Sequence, residues 1–308
     1  MNRILIIRGG AIGDFIVTLP ALKALRERFP DAAVEILGYK HIAALAENRF
    51  YANAVRSIEY APLSGFFARG GQLDPELCSY FASFDLVISY LFDPDGIFET
   101  NLRRTGVNEI LCGPAKIQTG MPATLQLVAP LEGLQIKVTD YAPKLFPSAD
   151  DREFARNFLK GFPGPVFAIH AGSGSHQKNW PLDNWIDLGN RLLGRGARLL
   201  VVSGEADQAQ FGILEKQWRD RSVRFAVNLP LTQLAAILAD CCFVGHDSGI
   251  SHLAAAGGAK CILLFGRTDP GVWAPPGDNV RVIRAPEGDL SRVSPEAVLS
   301  AMWEQPWE

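Results

Sequence analysis

Ile4-Leu5-Ile6-Ile7 is apolar at four consecutive positions, without the polar residue at every second place that marks a half-exposed strand. Short unbroken apolar runs belong to strands covered on both faces, the usual situation inside a parallel sheet. Further strands are expected at residues 34–37, 55–58, 84–90 and 109–112, and again at 166–170, 197–203, 223–227, 241–244 and 261–265, some of them with a single polar or charged residue inside the apolar run. Helical spacing fills many of the intervals. Phe15, Leu19, Leu22, Leu25 and Phe29 share one side of such a stretch, and Pro20 inside it implies a kink or a new helix start near Thr18. Further helices are expected at 42–46, 181–193, 206–219, 231–239 and 250–256. Ser294 and Pro295 read as the cap and first position of a last helix through Met302. Strands alternating with helices mean open, doubly wound α/β sheets with right-handed crossovers. Residues 61–75, with Gly65, Gly70 and Gly71, read as a loop carrying Phe66-Phe67.

The alternation lapses at Tyr141-Ala142-Pro143-Lys144-Leu145-Phe146-Pro147-Ser148 and then starts afresh, so this stretch reads as a linker. The 308 residues suffice for two domains, expected at 1–145 and 146–308, with the last helix (294–304) a candidate to pack back on the first. Ligands of such sheets bind beyond the carboxyl ends of the strands, and two facing sheets would share one site in the cleft between them. The chain is 48% hydrophobic and 20% charged with a formal charge of −3, and no basic block argues for nucleic acid. Its five cysteines form no CxxC pair, which argues against a disulfide framework or zinc site and suits a reducing compartment. The apolar run near the start is too short for a secretory signal, and no run approaches a membrane span, so a cytoplasmic protein is expected.

Four stretches carry candidate chemistry. Phe243-Val-Gly-His-Asp-Ser-Gly-Ile-Ser-His-Leu reads as a buried strand, a small-residue turn and a helix closed by Gly257-Gly258, with Asp247 or Ser248 as its cap. The amides at such a helix start suit an anion, most often phosphate; the plain alternative is a well-capped connection. Gly9-Gly10-Ala11-Ile12-Gly13-Asp14 places a carboxylate after a glycine turn at a helix start, where the helix dipole favours the anion and it can accept a proton or simply cap the helix. In His170-Ala-Gly-Ser-Gly-Ser-His176-Gln-Lys178-Asn-Trp-Pro181 a glycine/serine loop joins a lysine, a point charge suited to a leaving diphosphate or else a solvated loop residue. Beyond Val201-Val202-Ser203-Gly204, Glu205 or Asp207 could bind ribose hydroxyls or cap the next helix. Other chemistries fit poorly. A dinucleotide fingerprint would need glycine at Arg8 and an acid near Leu37-Gly38-Tyr39-Lys40. No Gly-Lys-Ser/Thr makes a P-loop, and no G-x-S-x-G makes a nucleophile elbow. Asp93-Pro94-Asp95-Gly96 has metal-like spacing but is turn chemistry. The histidines, His41, His170, His176, His246 and His252, lack ligand spacing.

Taken together, Ile7-Arg8-Gly9-Gly10-Ala11-Ile12-Gly13-Asp14, Thr18-Leu19-Pro20-Ala21-Leu22, Lys178-Asn179-Trp180-Pro181, the 243–253 stretch and Leu264-Phe-Gly-Arg-Thr-Asp-Pro resemble glycosyltransferase family 9, the family of the ADP-heptose:lipopolysaccharide heptosyltransferases. The matches keep their order and span nearly the whole chain. The resemblance implies a GT-B fold, two Rossmann-like domains facing across a cleft, with acceptor on the first and donor on the second. It implies inverting, metal-independent transfer without a cofactor, from a nucleotide diphosphate sugar to a lipid-linked or oligosaccharide acceptor of lipopolysaccharide-core type. Asp14 falls on the family's general base and Lys178 on its donor-phosphate lysine. Ser173, Gly174, Glu205, Asp247, Ser248, Gly249, Ile250 and His252 become candidate donor contacts, Arg8 and Gly13 candidate acceptor contacts. Val17 stands where inner-core members often have His, and Arg8 where they often have Lys. Arg49, Arg56, Arg69, Arg103 and Arg104 are further acceptor candidates without a motif. The expected protein is thus a cytoplasmic glycosyltransferase, peripheral to a membrane at most. An epimerase of the same fold or a silent sugar-nucleotide-binding protein are the alternatives.

Overall fold

The computed structural model describes residues 1–308 except 115, 163, 176, 177, 220 and 304–308. The chain divides into two compact units, Met1–Tyr141 and Ala142–Glu308.

In the first unit β1 (Arg3–Arg8) leads through α1 (Ile12–Ile16) and α2 (Leu19–Arg28) to β2 (Ala33–Gly38), α3 (Lys40–Ala43) and β3 (Ala54–Ser57). After a 3-10 segment (Ala61–Phe67) follow α4 (Pro75–Ala82), β4 (Leu86–Ser89), α5 (Ile97–Arg103), β5 (Glu109–Cys112) and α6 (Ala123–Val128). The sheet order is β3-β2-β1-β4-β5, all parallel, with Ile4 opposite both Val34 and Leu86. Ile4 to Ile7 are wholly buried because helices cover both faces of the central strand. Leu5 and Ile7 enter a core with Phe66, Phe81, Phe84 and Phe98. Thr18 stands at the N-cap position of α2 without a side-chain capping bond, its hydroxyl donating to the Asp14 carbonyl instead, and Pro20 lies in the first turn, so the proline restarts the helix where the sequence requires it.

Of residues 61–75, expected as a loop, 68–74 are turn and coil, but Ala61–Phe67 form the 3-10 segment and Pro75 begins α4. Phe66 is fully buried, its ring 5.0 Å from Phe81 and 6.2 Å from Phe98, and burial of that ring orders the segment. Asn101 donates to the carbonyls of Phe66 (2.9 Å) and Ala68 (2.8 Å), and Asp74 caps α4.

The second unit opens with the coil 142–148, whose Leu145 amide donates to Ala256, and α7 (Ala149–Leu159). Then come β6 (Val166–His170), α8 (Leu182–Gly194), β7 (Arg198–Ser203), α9 (Gln208–Trp218), β8 (Val223–Val227) and α10 (Leu231–Leu238). The unit closes with β9 (Cys242–His246), α11 (Gly249–Gly257), β10 (Lys260–Phe265), α12 (Pro270–Trp273), β11 (Val280–Arg284) and α13 (Pro295–Trp303). Its parallel sheet has the order β11-β10-β9-β6-β7-β8. α13 packs on α8 and β10 within this unit. Position 304 of the expected last helix lies outside the described residues. Each sheet reverses its strand order once, between β1 and β4 and between β6 and β9. Crevices open at such reversals, at the carboxyl ends of the strands. No helix among the described residues is long and apolar enough to cross a membrane.

Packing in the second unit is tight at Gly189 on α8, where an added Cβ would overlap the ring of fully buried Trp218. Gly189→Ala should therefore destabilise by about 1–2 kcal/mol, the overlap outweighing the gain in helix propensity. Urea unfolding checks this, and an unchanged or raised midpoint would contradict the packing.

Candidate functional site

In the first unit β1 delivers Arg8 to the strand-order reversal. Gly10 turns with φ +96°, where a Cβ would come within 2.8 Å of Asp14 Oδ2. That opening lets Asp14 fold back and accept from the Ala11 amide at 2.9 Å, a cap on its own short helix. The Asp14 side chain stays about one-third exposed, with Oδ1 3.6 Å from Arg8 Nη2. Arg8 is mostly buried. Its Nε and Nη2 donate to the Asp14 carbonyl (3.1 and 2.7 Å), and Nη1 donates to Tyr90 O beyond β4 (3.2 Å). Burial lowers its pKa against the opposing pull of Asp14. Arg8 therefore ties the two loops at this edge together and presents little surface to an acceptor. Gly13 is partly exposed, its carbonyl accepting from Val17 N, and Val17 itself is interior.

The other basic candidates of this unit are mostly engaged. Arg49 donates to Ala44 and Glu47, Arg103 to Glu99, and Arg104 to Gly71 and Asn101. Arg56 lies over the Tyr80 ring near Glu35, while Arg69 is exposed. Asp93 uses both carboxylate oxygens to accept from Phe98 N and Glu99 N, so its D-x-D motif is a turn that caps α5. A hollow of about 1090 Å³ lined by Gln118, Met121, Leu125, Val138 and Tyr141 contains none of the candidates. Among the described residues no three His, Cys, Asp or Glu gather as metal ligands.

In the second unit the candidates converge at the reversal between β6 and β9. Lys178 Nζ donates to Asp247 Oδ2 at 2.7 Å, with the lysine side chain 43% exposed and the aspartate 11%. Ser248, rather than Asp247, is the cap of α11: its Oγ accepts from Ser251 N. Gly249 and Ile250 occupy the first turn, where helix geometry supplies no carbonyl four residues back, and both are partly exposed. His252 lies one turn in and is buried. Ser173 Oγ is held within its own loop, 2.7 Å from Ser175 O and from Asn179 Oδ1. Gly174 faces open space. A hollow of about 410 Å³ beside Asn179 and Pro181, lined also by Arg267, Asp289 and Ser291, adjoins this loop. His176 lies outside the described residues.

The two acids beyond β7 differ in burial, Asp207 being buried and Glu205 exposed. Asp207 Oδ2 lies 3.1 Å from His170 Nε2 and accepts from Gly204 N. Burial works against its carboxylate, yet the hydrogen bond and charge of His170 with the Gly204 amide hold its pKa below the ordinary value. Glu205 remains exposed beyond β7.

Sequence reasoning missed the part played by His246. Its imidazole is wholly buried at the end of β9. Nε2 accepts from Trp180 N at 2.7 Å and Nδ1 lies 3.3 Å from Gly172 O, so these partners assign the proton to Nδ1. Burial pushes its pKa down to about 3. The cysteines Cys241 and Cys242 are raised to about 12, and Cys112 to about 11, in each case chiefly by burial, so none is a ready thiolate.

Residues 115–301 match the family model described as glycosyltransferase family 9 (heptosyltransferase). The lipopolysaccharide heptosyltransferase 1 of Escherichia coli O18:K1:H7 is 30% identical over 157 residues, 48% of this chain and 46% of that one. The chain thus spans about half the length of the curated relatives it matches. A glycosyl transferase family 9 structure from Veillonella parvula superposes with a TM-score of 0.80 at 18% identity, covering 97% of this chain and 96% of the other. The E. coli heptosyltransferase WaaC with ADP gives 0.73 at 19% identity, covering 97% and 98%. These structures establish a shared GT-B fold.

The buried histidine sets a pH dependence. Its folded pKa, about 3, lies below the ordinary 6.5, so the unfolded chain binds more protons between those values. The stability it contributes is complete above pH 6.5 and is lost as pH falls toward 3, by up to roughly 1.4 kcal/mol per pH unit. Asp207 adds a second loss as pH drops below 3.8. Urea midpoints should fall from pH 7.5 to pH 5, and a flat profile would contradict a buried neutral imidazole.

Proposed function

Because the chain belongs to glycosyltransferase family 9, we propose that it transfers a heptose from ADP-heptose to a lipopolysaccharide-core-type acceptor, with inversion and without a metal ion. The observation that carries the reading is the meeting of Lys178, Asp247 and the first turn of α11 at one sheet edge. Backbone amides at a helix start and a nearby ammonium are what a diphosphate needs. Lys178 and the amides of Gly249 and Ile250 neutralise the charge that develops on the leaving ADP, the task a metal performs in other transferases. The diphosphate takes over the contact that Asp247 makes with Lys178. Glu205, exposed beyond β7, accepts from ribose hydroxyls, since Asp207 is occupied by His170.

Asp14 is the general base. It removes the proton of the acceptor hydroxyl as that oxygen attacks the anomeric carbon opposite the departing diphosphate. Capping through Oδ2 fixes the carboxylate, and Arg8 holds the carbonyl of the same residue, so the base is oriented before substrate arrives. The acceptor is lipid-linked, and contact with a membrane is peripheral.

Two experiments test this. Asp14→Ala should lower transfer to a lipid A–Kdo acceptor mimic on the order of a hundredfold or more while leaving ADP affinity unchanged; near-normal transfer removes Asp14 from the mechanism. ADP with a chelator present should raise the melting temperature, by the equivalent of about 3 kcal/mol at a hundred times Kd. No shift with ADP, UDP or GDP would overturn the donor assignment.

A further inference from the structure

We propose that His246 is a positioning residue: its neutral imidazole clips both ends of the Lys178 loop to β9 and so fixes where Lys178 meets the donor diphosphate. This rests on the reading of Lys178 given above. Gly172 and Trp180 bracket the stretch of chain that carries Lys178. The two ends are bridged by one side chain, Nε2 taking the Trp180 amide and Nδ1 facing the Gly172 carbonyl. The main chain of the same residue acts on the other half of the site. Its carbonyl accepts from Ser251 Oγ in the first turn of α11. The next residue, Asp247, holds the Lys178 ammonium.

One residue therefore sets the spacing between the two groups that would grip the diphosphate. The imidazole is itself immobilised, with the Trp185 ring set against it edge-on at 5.3 Å and that ring packed in turn on Trp180. Phosphate chemistry alone does not account for this histidine: at 0% exposure it does not touch a ligand. With its pKa pushed down to about 3 it stays uncharged while the site changes its charge around it. An imidazolium would lose the acceptor for the Trp180 amide and open the clip.

The test is a double-mutant cycle on ADP affinity by calorimetry, using the full chain, with His246→Phe, Lys178→Ala and the combination. His246→Phe keeps a ring against Trp185 and removes both hydrogen bonds. It should weaken ADP binding about tenfold, and less than about twofold once Lys178 is absent. His246→Gln, which offers an acceptor and a donor, should recover part of the loss. A wild-type affinity in His246→Phe, or an equal loss in both backgrounds, overturns the proposal. No effect of Lys178→Ala overturns the diphosphate reading instead. Nitrogen NMR of the wild-type imidazole makes the test independent of any variant's folding. A proton on Nδ1 alone at pH 7 is expected, and an imidazolium or an Nε2-protonated ring overturns the clip.

Discussion

The placement of β9 beside β6 is the constraint on which the candidate site of the second unit depends. These strands are far apart in sequence, yet Phe167 lies opposite Cys242 and Ile169 opposite Val244. Parallel pairing sends both chains out at the same edge, so the loop after β6 and the turn into α11 must share that edge. Lys178 and Asp247, 69 positions apart, meet for that reason. Buried apolar residues on both strands fix the register, and a slip by one residue would turn each side chain to the other face.

The first unit uses the same device with different chemistry. Its reversal between β1 and β4 carries a carboxylate in place of amides and a lysine. Arg8 crosses from the end of β1 to Tyr90 O beyond β4 and grips the Asp14 carbonyl on the way. A buried guanidinium is stable here because three of its nitrogens find acceptors and a carboxylate stands close by. Both units therefore hold a partly exposed charged side chain, Asp14 in the first and Lys178 in the second, beside a buried polar residue whose bonds run to backbone atoms, Arg8 and His246 respectively.

How much of this is legible in the sequence varies with the range of the interactions. The runs at 109–112, 166–170 and 223–227 are strands with those same limits, because apolar runs bounded by turn residues decide locally. β11 escapes the same reading because Arg281 and Arg284 leave only Val282 and Ile283 as adjacent apolar residues, one fewer than the Phe225-Ala226-Val227 that remain beyond Arg224 in β8. α7 hides behind Pro147, its polar sequence starting with the Ser148–Asp151 capping box inside what reads as linker. The glycine loop, Lys178 and the 246–249 turn stand out because their residue types are unusual for plain connections. The roles of Arg8 and His246 do not. Arg8 reads as an acceptor contact and His246 as one more residue of the strand and turn leading into α11, because nothing local reveals bonds to backbone atoms 66 to 82 positions away.

The central claim is that a nucleoside diphosphate binds at the edge where β6 and β9 meet. A crystal structure of the full chain with ADP, grown in the presence of a chelator, tests it most directly. The account predicts phosphate oxygens within hydrogen-bond distance of Lys178 Nζ and of the amides of Gly249 and Ile250, with the ribose turned toward Glu205. ADP seated elsewhere, or bound without contact to Lys178 and α11, would contradict it.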